Sequence, residues 1–219
     1  YVKGGGHLLL IGHRTAALFE TELGVTQEDQ PAAAGDYRLA YDGALVAIGG
    51  QWQAVKLGPA CRPFGQLRAA SAEVSSAQPA ASVTECGRGK IAALYFTFGQ
   101  DYVKAHHELS RRFLNDLVRQ LFPRPLVEVK GSPDVDVVVN RLGGRLLVNL
   151  VNTAGPHRSE PVLDAIGPIG PLDVTIRQAA RPARITLEPA GTPLSFEHRA
   201  GEIHLTVPRV AIHEIIVVE

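Results

Sequence analysis

The chain begins with a glycine-rich segment that leads directly into an apolar run. Residues 1–6 read Tyr-Val-Lys-Gly-Gly-Gly, and residues 8–11 are Leu-Leu-Leu-Ile. This order predicts the last turn of a helix, a glycine cap and a buried strand over residues 7–12. Because a self-contained domain rarely begins at the end of a helix, we expect a piece of a longer polypeptide, cut inside an α/β unit. That strand is expected to be central, with one side open or covered by a partner chain.

The next pattern is a short helix followed by polar and then β-prone sequence. Residues 15–23 have one apolar side and end at Gly24, which predicts a helix with a glycine cap. Residues 27–35 are polar and rich in Ala and Pro, which predicts a loop. Residues 37–57 predict short strands separated by glycine-containing turns.

The strongest helical pattern lies in the middle of the chain. Residues 69–81 are small and polar and predict a surface loop. Two β-prone runs around Gly87–Lys90 then predict a hairpin. Leucine and phenylalanine at steps of four predict one long helix over residues 101–121, which the proline at 123 ends.

After Pro125 the pattern changes to short strands separated by turns. Around eight such strands without helical periodicity predict a β-sandwich. We therefore expect two domains, residues 1–124 with mixed α/β structure and residues 125–219 with all-β structure.

Composition narrows the class of protein. Lys+Arg and Asp+Glu both total 22, so the basic excess of a nucleic-acid-binding protein is absent. No apolar run approaches the roughly 20 residues of a membrane span, so we expect no membrane partner. Cys61 and Cys86 permit at most one disulfide; two buried thiols are the favoured interpretation and a disulfide is the alternative.

Several segments resemble a known family in the same order. The opening TyrValLysGlyGlyGlyHisLeuLeuLeuIleGly resembles a segment of the glutamine-amidotransferase-like domain attached to some glycoside hydrolases, best known as the trimerisation domain of bacterial β-galactosidases. The hairpin around Gly87–Lys90 resembles that family's late hairpin. The blocks at residues 146–153, 169–172 and 212–218 resemble the β-sandwich that follows such domains.

The resemblance implies a fold and a set of partners. It implies a flavodoxin-like, amidotransferase-like α/β domain whose first elements are missing, with a β insertion at residues 37–67, followed by an immunoglobulin-like sandwich. The barrel with the two catalytic carboxylates of these hydrolases would lie upstream and would be a partner. The resemblance also implies a carbohydrate substrate for the parent and a possible homo-oligomer. An exported parent, secreted or periplasmic, is favoured over a cytoplasmic one.

No complete catalytic or metal site is recognised in the chain. An amidotransferase nucleophile needs a tight strand-to-helix elbow, but Cys61 lies between two prolines and Cys86 ends a hairpin strand. His106 and His107 are adjacent and would point in different directions from a helix, which disfavours zinc. Asp134 and Asp136 are read as a polar strand start. We expect no cofactor.

Two aromatic residues are candidate carbohydrate contacts. Trp52, flanked by Gln51 and Gln53, and Tyr41 could stack on a sugar ring; for Trp52, burial in the core is the favoured interpretation. The sequence therefore favours a non-catalytic accessory region of a larger glycoside hydrolase. A carbohydrate-binding module and an independent hydrolase with an unrecognised site are the alternatives.

Overall fold

A computed structural model describes residues 1–69, 77–155 and 165–219. The chain divides into two compact units, Tyr1–Arg124 and Pro125–Glu219. Most of the loop expected at residues 69–81 lies outside the described residues, and each unit is described separately below.

The described residues of the first unit form four α-helices and eight strands. The helices, besides 3₁₀ turns at Val2–Gly4 and Ala17–Phe19, are α1 (His13–Ala16), α2 (Glu20–Leu23), α3 (Phe98–Ala105) and α4 (Glu108–Leu121). The strands are β1 (His7–Leu10), β2 (Val25–Ala33), β3 (Tyr37–Tyr41), β4 (Ala44–Ala47), β5 (Gln51–Leu57), β6 (Cys61–Ala69), β7 (Gln78–Cys86) and β8 (Gly89–Leu94).

Six of these strands form one sheet in the order β1-β8-β7-β6-β3-β4, and β2 pairs with β5 in a two-stranded ribbon. The β1–β8 pair is parallel, whereas the other pairs of the large sheet are antiparallel. The flavodoxin-like character expected for this unit is therefore not confirmed. β1 lies at the edge of the sheet rather than at its centre, and in the described residues it has a strand partner on one side.

Both faces of β8 are buried, which explains its continuous apolar sequence. Ala92 and Leu94 contribute to a core with the buried face of α4, while Ile91 and Ala93 contribute to a second core with Leu23 of α2. A strand covered on both faces has no need of alternation between apolar and polar residues. The hairpin predicted around Gly87–Lys90 is formed by β7 and β8.

Two predictions for this unit were wrong in detail. The loop expected at residues 27–35 is largely strand β2, whose polar residues are mostly exposed because the strand belongs to the small ribbon rather than the large sheet. The single helix expected at residues 101–121 is two helices. His106, which follows α3, has a left-handed φ of 48°, and His107, which precedes α4, is extended, so the helical hydrogen-bond ladder is broken at these two residues.

The second unit is a β-sandwich of two sheets. Its strands are β9 (Val127–Lys130), β10 (Val135–Leu142), β11 (Arg145–Asn152), β12 (Leu172–Arg177), β13 (Ile185–Glu188), β14 (Thr192–Pro193), β15 (Phe196–Arg199), β16 (Glu202–Val207) and β17 (His213–Val218). One sheet has the order β10-β11-β17-β13-β14, and the other has the order β15-β16-β12-β9.

The sandwich core is built from alternate residues of its central strands. Leu146, Val148 and Leu150 of β11 are buried, and they share one apolar cluster with Val174 and Ile176 of β12 from the other sheet. Period-two alternation places these side chains on the inner faces and the residues between them on the outer faces. The all-β character predicted after residue 125 is confirmed.

Candidate functional site

Trp52 lies in the core of the first unit. Its side chain is 7% exposed, and its ring lies 4.3 Å from that of Tyr37 between ring centroids. The indole nitrogen has no hydrogen-bond partner among the described residues. Little of the indole face is therefore open to a sugar, in keeping with the favoured interpretation of burial.

Tyr41 is partly exposed and lines an open cavity of about 460 Å³ at the β3–β4 turn. Its hydroxyl donates a 2.9 Å hydrogen bond to Oδ2 of Asp116 on α4, and its ring contacts Phe113 edge-on at 5.2 Å between centroids. Burial and then the Asp116 hydrogen bond raise the pKa of Tyr41 to about 12. The hydroxyl is therefore protonated at neutral pH and anchors the β3–β4 turn to α4.

The two cysteines are free thiols. Cys61 at the start of β6 is buried, and Cys86 at the end of β7 is partly exposed. The register pairs Cys61 with Thr84 and Cys86 with Gly89, so the two residues are not opposite each other across the ladder. Neither cysteine follows a strand into a helix, so neither has the elbow that an amidotransferase nucleophile needs.

The other polar motifs lie in structural positions. His106 and His107 form the junction between α3 and α4, and Glu108 pairs with Arg111 at 2.6 Å. The ring of His213 contacts the Asn149 amide oxygen at 3.2 Å on the neighbouring strand. Asp134 lies directly before β10, and Asp136 is the second residue of that strand. Within residues 1–69, 77–155 and 165–219, no group of three His, Cys, Asp or Glu side chains is placed to hold a metal ion.

A cavity of about 250 Å³ lies where the parallel strands β1 and β8 end. From β1 the chain passes through Ile11 and Gly12 into α1, and from β8 it passes through Thr97 into α3. Residues of both connections line the cavity: Gly12, His13, Arg14, Thr97, Gly99 and Gln100. Parallel strands bring their carboxyl ends to one edge of a sheet, and this is where open α/β sheets bind ligands.

His13 is the unusual residue of this cavity. It is 2% exposed, and neither of its ring nitrogens has a hydrogen-bond partner among the described residues. Burial, and next the charge of Arg14, lower the pKa of His13 below its ordinary value of 6.5. The imidazole is therefore neutral at physiological pH, with one nitrogen that donates and one that accepts.

The sequence alone did not predict this cavity, because the glycine-rich residues 4–6 precede β1 and cap a turn. The informative glycine is Gly12, with a φ of 96°, which follows β1 and opens α1. The approach of Thr97 and Gln100 from the end of β8 depends on the pairing of strands about 80 residues apart in sequence, which no local motif encodes.

Comparison with known proteins finds likeness in structure alone. No protein-family model and no curated protein matches the chain. The alpha-L-fucosidase isoenzyme 2 from Paenibacillus thiaminolyticus aligns with 90% of this chain and 33% of its own chain, at 17% identity and a TM-score of 0.67. A GH42 beta-galactosidase from G. stearothermophilus aligns with 99% of this chain and 28% of its own, at 15% identity and a TM-score of 0.55.

A beta-galactosidase from Bacillus circulans sp. alkalophilus aligns with 100% of this chain and 30% of its own, at 12% identity and a TM-score of 0.54. The chain thus spans about a third of the length of the solved structures it matches. At these identities the likeness shows a shared fold, and these three structures are glycoside hydrolases. Among the described helices, none has the length and apolar character needed to cross a bilayer.

Proposed function

We propose that this chain is a non-catalytic accessory region of a larger glycoside hydrolase acting on carbohydrate, where it supports the catalytic barrel or an oligomer. The observation that carries the proposal is the extent of the structural likeness. Three glycoside hydrolases align with 90–100% of this chain, so both units have counterparts there, yet the aligned part is about a third of each enzyme. The remaining two thirds leave room for a catalytic domain.

The described side chains give further support. Hydrolysis of a glycosidic bond uses two carboxyl groups, roughly 5–10 Å apart, that flank the bond in a cleft. Several acidic side chains of the two units form ion pairs with basic ones: Glu202 with Arg177, Glu108 with Arg111, and Glu219 with Arg145. A carboxylate in such a pair makes a structural contact rather than standing free beside a bound sugar.

Within this proposal the two units take the roles that the resemblance suggests. The first unit is an amidotransferase-like α/β domain with a β insertion, and the second is an immunoglobulin-like sandwich. The partner is a catalytic barrel of the same protein, with carboxylates at the ends of its strands.

The test is a hydrolysis assay of the purified 219-residue chain, with a full-length glycoside hydrolase as the positive control. We expect the purified chain to hydrolyse aryl β-galactosides and aryl α-L-fucosides no faster than a heat-denatured sample. Hydrolysis that follows the chain through two purification steps, and that is abolished by unfolding it, would overturn the non-catalytic role. The coding sequence that adjoins this chain is expected to encode a barrel, and its absence there would overturn the accessory role.

A second candidate function is a sugar contact at Tyr41. The observation that favours it is the open cavity of about 460 Å³, where polar side chains of Asp42, Gln66 and Arg68 lie with the tyrosine. Aromatic rings suit the apolar faces of sugars. We expect galactose binding, measured by calorimetry, to be lost in Tyr41→Ala and kept in Tyr41→Phe. Equal affinity of both variants and the unaltered chain would exclude this contact.

A further inference from the structure

The cavity at the ends of β1 and β8 has a charge balance that favours anions. Arg14 is exposed at its mouth, and among the described residues that line the cavity none is a carboxylate. The guanidinium makes one long hydrogen bond, 3.4 Å from Nη2 to the amide oxygen of Gln51. An arginine has five N–H donors in a planar fork, so most of them remain for a carboxylate or phosphate group.

The first turn of α3 also faces this cavity. The N–H of Phe98 is bonded to the Phe96 carbonyl, and that of Asp101 is bonded to the Thr97 carbonyl. The N–H groups of Gly99 and Gln100 belong to the first turn, where a helix has no internal acceptor for them. A Cβ placed on Gly99 would meet no atom within 4 Å, so the space beside it is open. Free amides and the positive end of the helix dipole both favour an anion here.

The independent sign of a ligand is His13. A buried polar atom without a partner costs about 1–3 kcal/mol, and most such atoms in folded proteins have a protein or water partner. His13 has two ring nitrogens in this condition, both within a residue that lines the cavity. A ligand oxygen beside the ring would accept from one nitrogen and would remove part of this cost.

The carboxylate nearest in sequence to the lining residues makes its hydrogen bond away from them. Asp101 lies one residue beyond the lining residue Gln100, and its Oδ1 accepts a 2.9 Å hydrogen bond from the N–H of Gly49. The Thr97 hydroxyl donates a 3.1 Å hydrogen bond to the carbonyl of the same Gly49. These contacts position the loop before β5 and leave Arg14 as the charged side chain that lines the cavity.

We propose that this cavity is a binding site for a small oxyanion, a carboxylate or a phosphate group, held by Arg14, by His13 and by the first-turn amides of α3. The volume of about 250 Å³ suits a group of a few heavy atoms rather than a large cofactor. The site lies wholly within the first unit. It is independent of the proposed accessory role, because a structural region of a hydrolase and an unrelated protein could both contain it.

The test is a titration of the 219-residue chain with sodium phosphate and, separately, with sodium acetate, at constant ionic strength maintained with sodium chloride. Binding is followed by the amide chemical shifts in a ¹H–¹⁵N correlation spectrum. We expect saturable shifts at Gly99, Gln100 and Arg14 with at least one of the two anions. The anion that binds more tightly identifies the group, phosphate or carboxylate. No saturable shift at these amides with either anion would overturn the proposal.

Two substitutions and a matched control test which side chains hold the anion, through the dissociation constant of the anion that binds. Arg14→Gln is expected to raise the dissociation constant about tenfold, the value of one charge-assisted pair. His13→Gln is expected to raise it about threefold through the loss of one neutral hydrogen bond. Arg62→Gln, which removes an exposed arginine on β6, is expected to leave it unchanged. Equal weakening by Arg14→Gln and Arg62→Gln would overturn the site. Should His13→Gln fail to fold, Arg14→Gln and the amide shifts still decide the question, because Arg14 is exposed.

Discussion

The two units of this chain bury polar groups in different ways. In the first unit His13, Gln53, Ser82, Thr84 and Ser110 are all buried. In the described part of the second unit, Asn152 is the buried polar residue, and its amide is fully used. It donates to the carbonyls of Gly167 and Ala211 at 2.9 and 2.8 Å, and its oxygen accepts from the N–H of Ala154.

This difference teaches where to look for function. In the described part of the sandwich, structure accounts for the buried polar atoms: the Asn152 amide fastens loops, and Nε of Arg177, which makes no well-aligned hydrogen bond, lies 3.0 Å from Oε1 of Glu202. In the first unit, His13 and Gln53 leave atoms without partners among the described residues. Local departures from complete polar satisfaction are expected at functional sites rather than in scaffolds. The predictions below test this contrast, starting with the largest expected effect.

Removal of the central aromatic of the first unit is expected to have the largest effect. Phe113 is fully buried and contacts the rings of Tyr41, Phe64 and Phe96. Phe113→Ala is expected to lower the free energy of unfolding by about 4 kcal/mol, through lost burial and a residual cavity. Urea unfolding followed by the fluorescence of the single tryptophan, Trp52, measures this in the same unit.

The control for that substitution is Val103→Ala on α3, where the side chain is 73% exposed. It is expected to change stability by less than about 0.5 kcal/mol. A cost of Phe113→Ala as small as that of Val103→Ala would show that the aromatic cluster is not the core of this unit.

The buried amide of the second unit is expected to rank next. Asn152→Ala leaves two carbonyls and one N–H without their partner and is expected to cost about 3 kcal/mol. Asn149→Ala, on the same strand but on the exposed face, is the matched control and is expected to cost less than about 1 kcal/mol. Thermal unfolding by calorimetry compares the two. Equal costs would remove the contrast between a loop-fastening amide and a surface amide.

The alkaline limit of the first unit depends on Tyr41. Its pKa is about 12 in the folded chain, above the ordinary value of 10. A raised folded pKa contributes stability that is fully present below pH 10 and is lost as the pH rises toward 12. Tyr41→Phe is expected to cost about 1 kcal/mol at pH 8 and to make the decline above pH 10 shallower. An unchanged decline, measured by urea unfolding at pH 8, 10 and 11.5, would contradict this role.

The smallest expected effect concerns His13. Its folded pKa is below 6.5, so the unfolded chain binds the proton more readily. Stability is therefore undiminished above pH 6.5 and falls as the pH drops through that value toward the folded pKa. His13→Gln, which does not titrate, is expected to make the decline between pH 7 and pH 5 shallower. An identical decline in both chains would mean that the folded and the unfolded chain bind the His13 proton equally well, which would contradict a lowered pKa in the fold.

The sandwich could be predicted from sequence because its physics is local. In β12 the inward Leu172, Val174 and Ile176 alternate with polar outward residues, and this period-two alternation is visible without knowledge of the partner strand. The first unit was less predictable. β2 is polar because it is exposed, so it has the composition of a loop. The break at His106 depends on one left-handed residue that interrupts an otherwise helical pattern.

The candidate site was harder to predict for a related reason. Its halves, around His13 and around Gln100, are brought together by a parallel pairing between β1 and β8. Parallel pairs join strands across a long crossover, so neither half predicts the other. The one local signal was the order of strand, glycine and helix at Gly12.

The edge position of β1 has a consequence for how the protein behaves in concentrated solution. His7–Leu10 pair with β8, and in the described residues no strand covers the opposite side of β1. An uncovered strand presents a row of backbone donors and acceptors, and here the next residue, Ile11, is 43% exposed. Such an edge is a template for strands of other molecules and promotes aggregation. Solutions of the chain are therefore expected to lose monomer as concentration rises, and Ile11→Lys, which adds a charge at an exposed position beside this edge, is expected to reduce that loss.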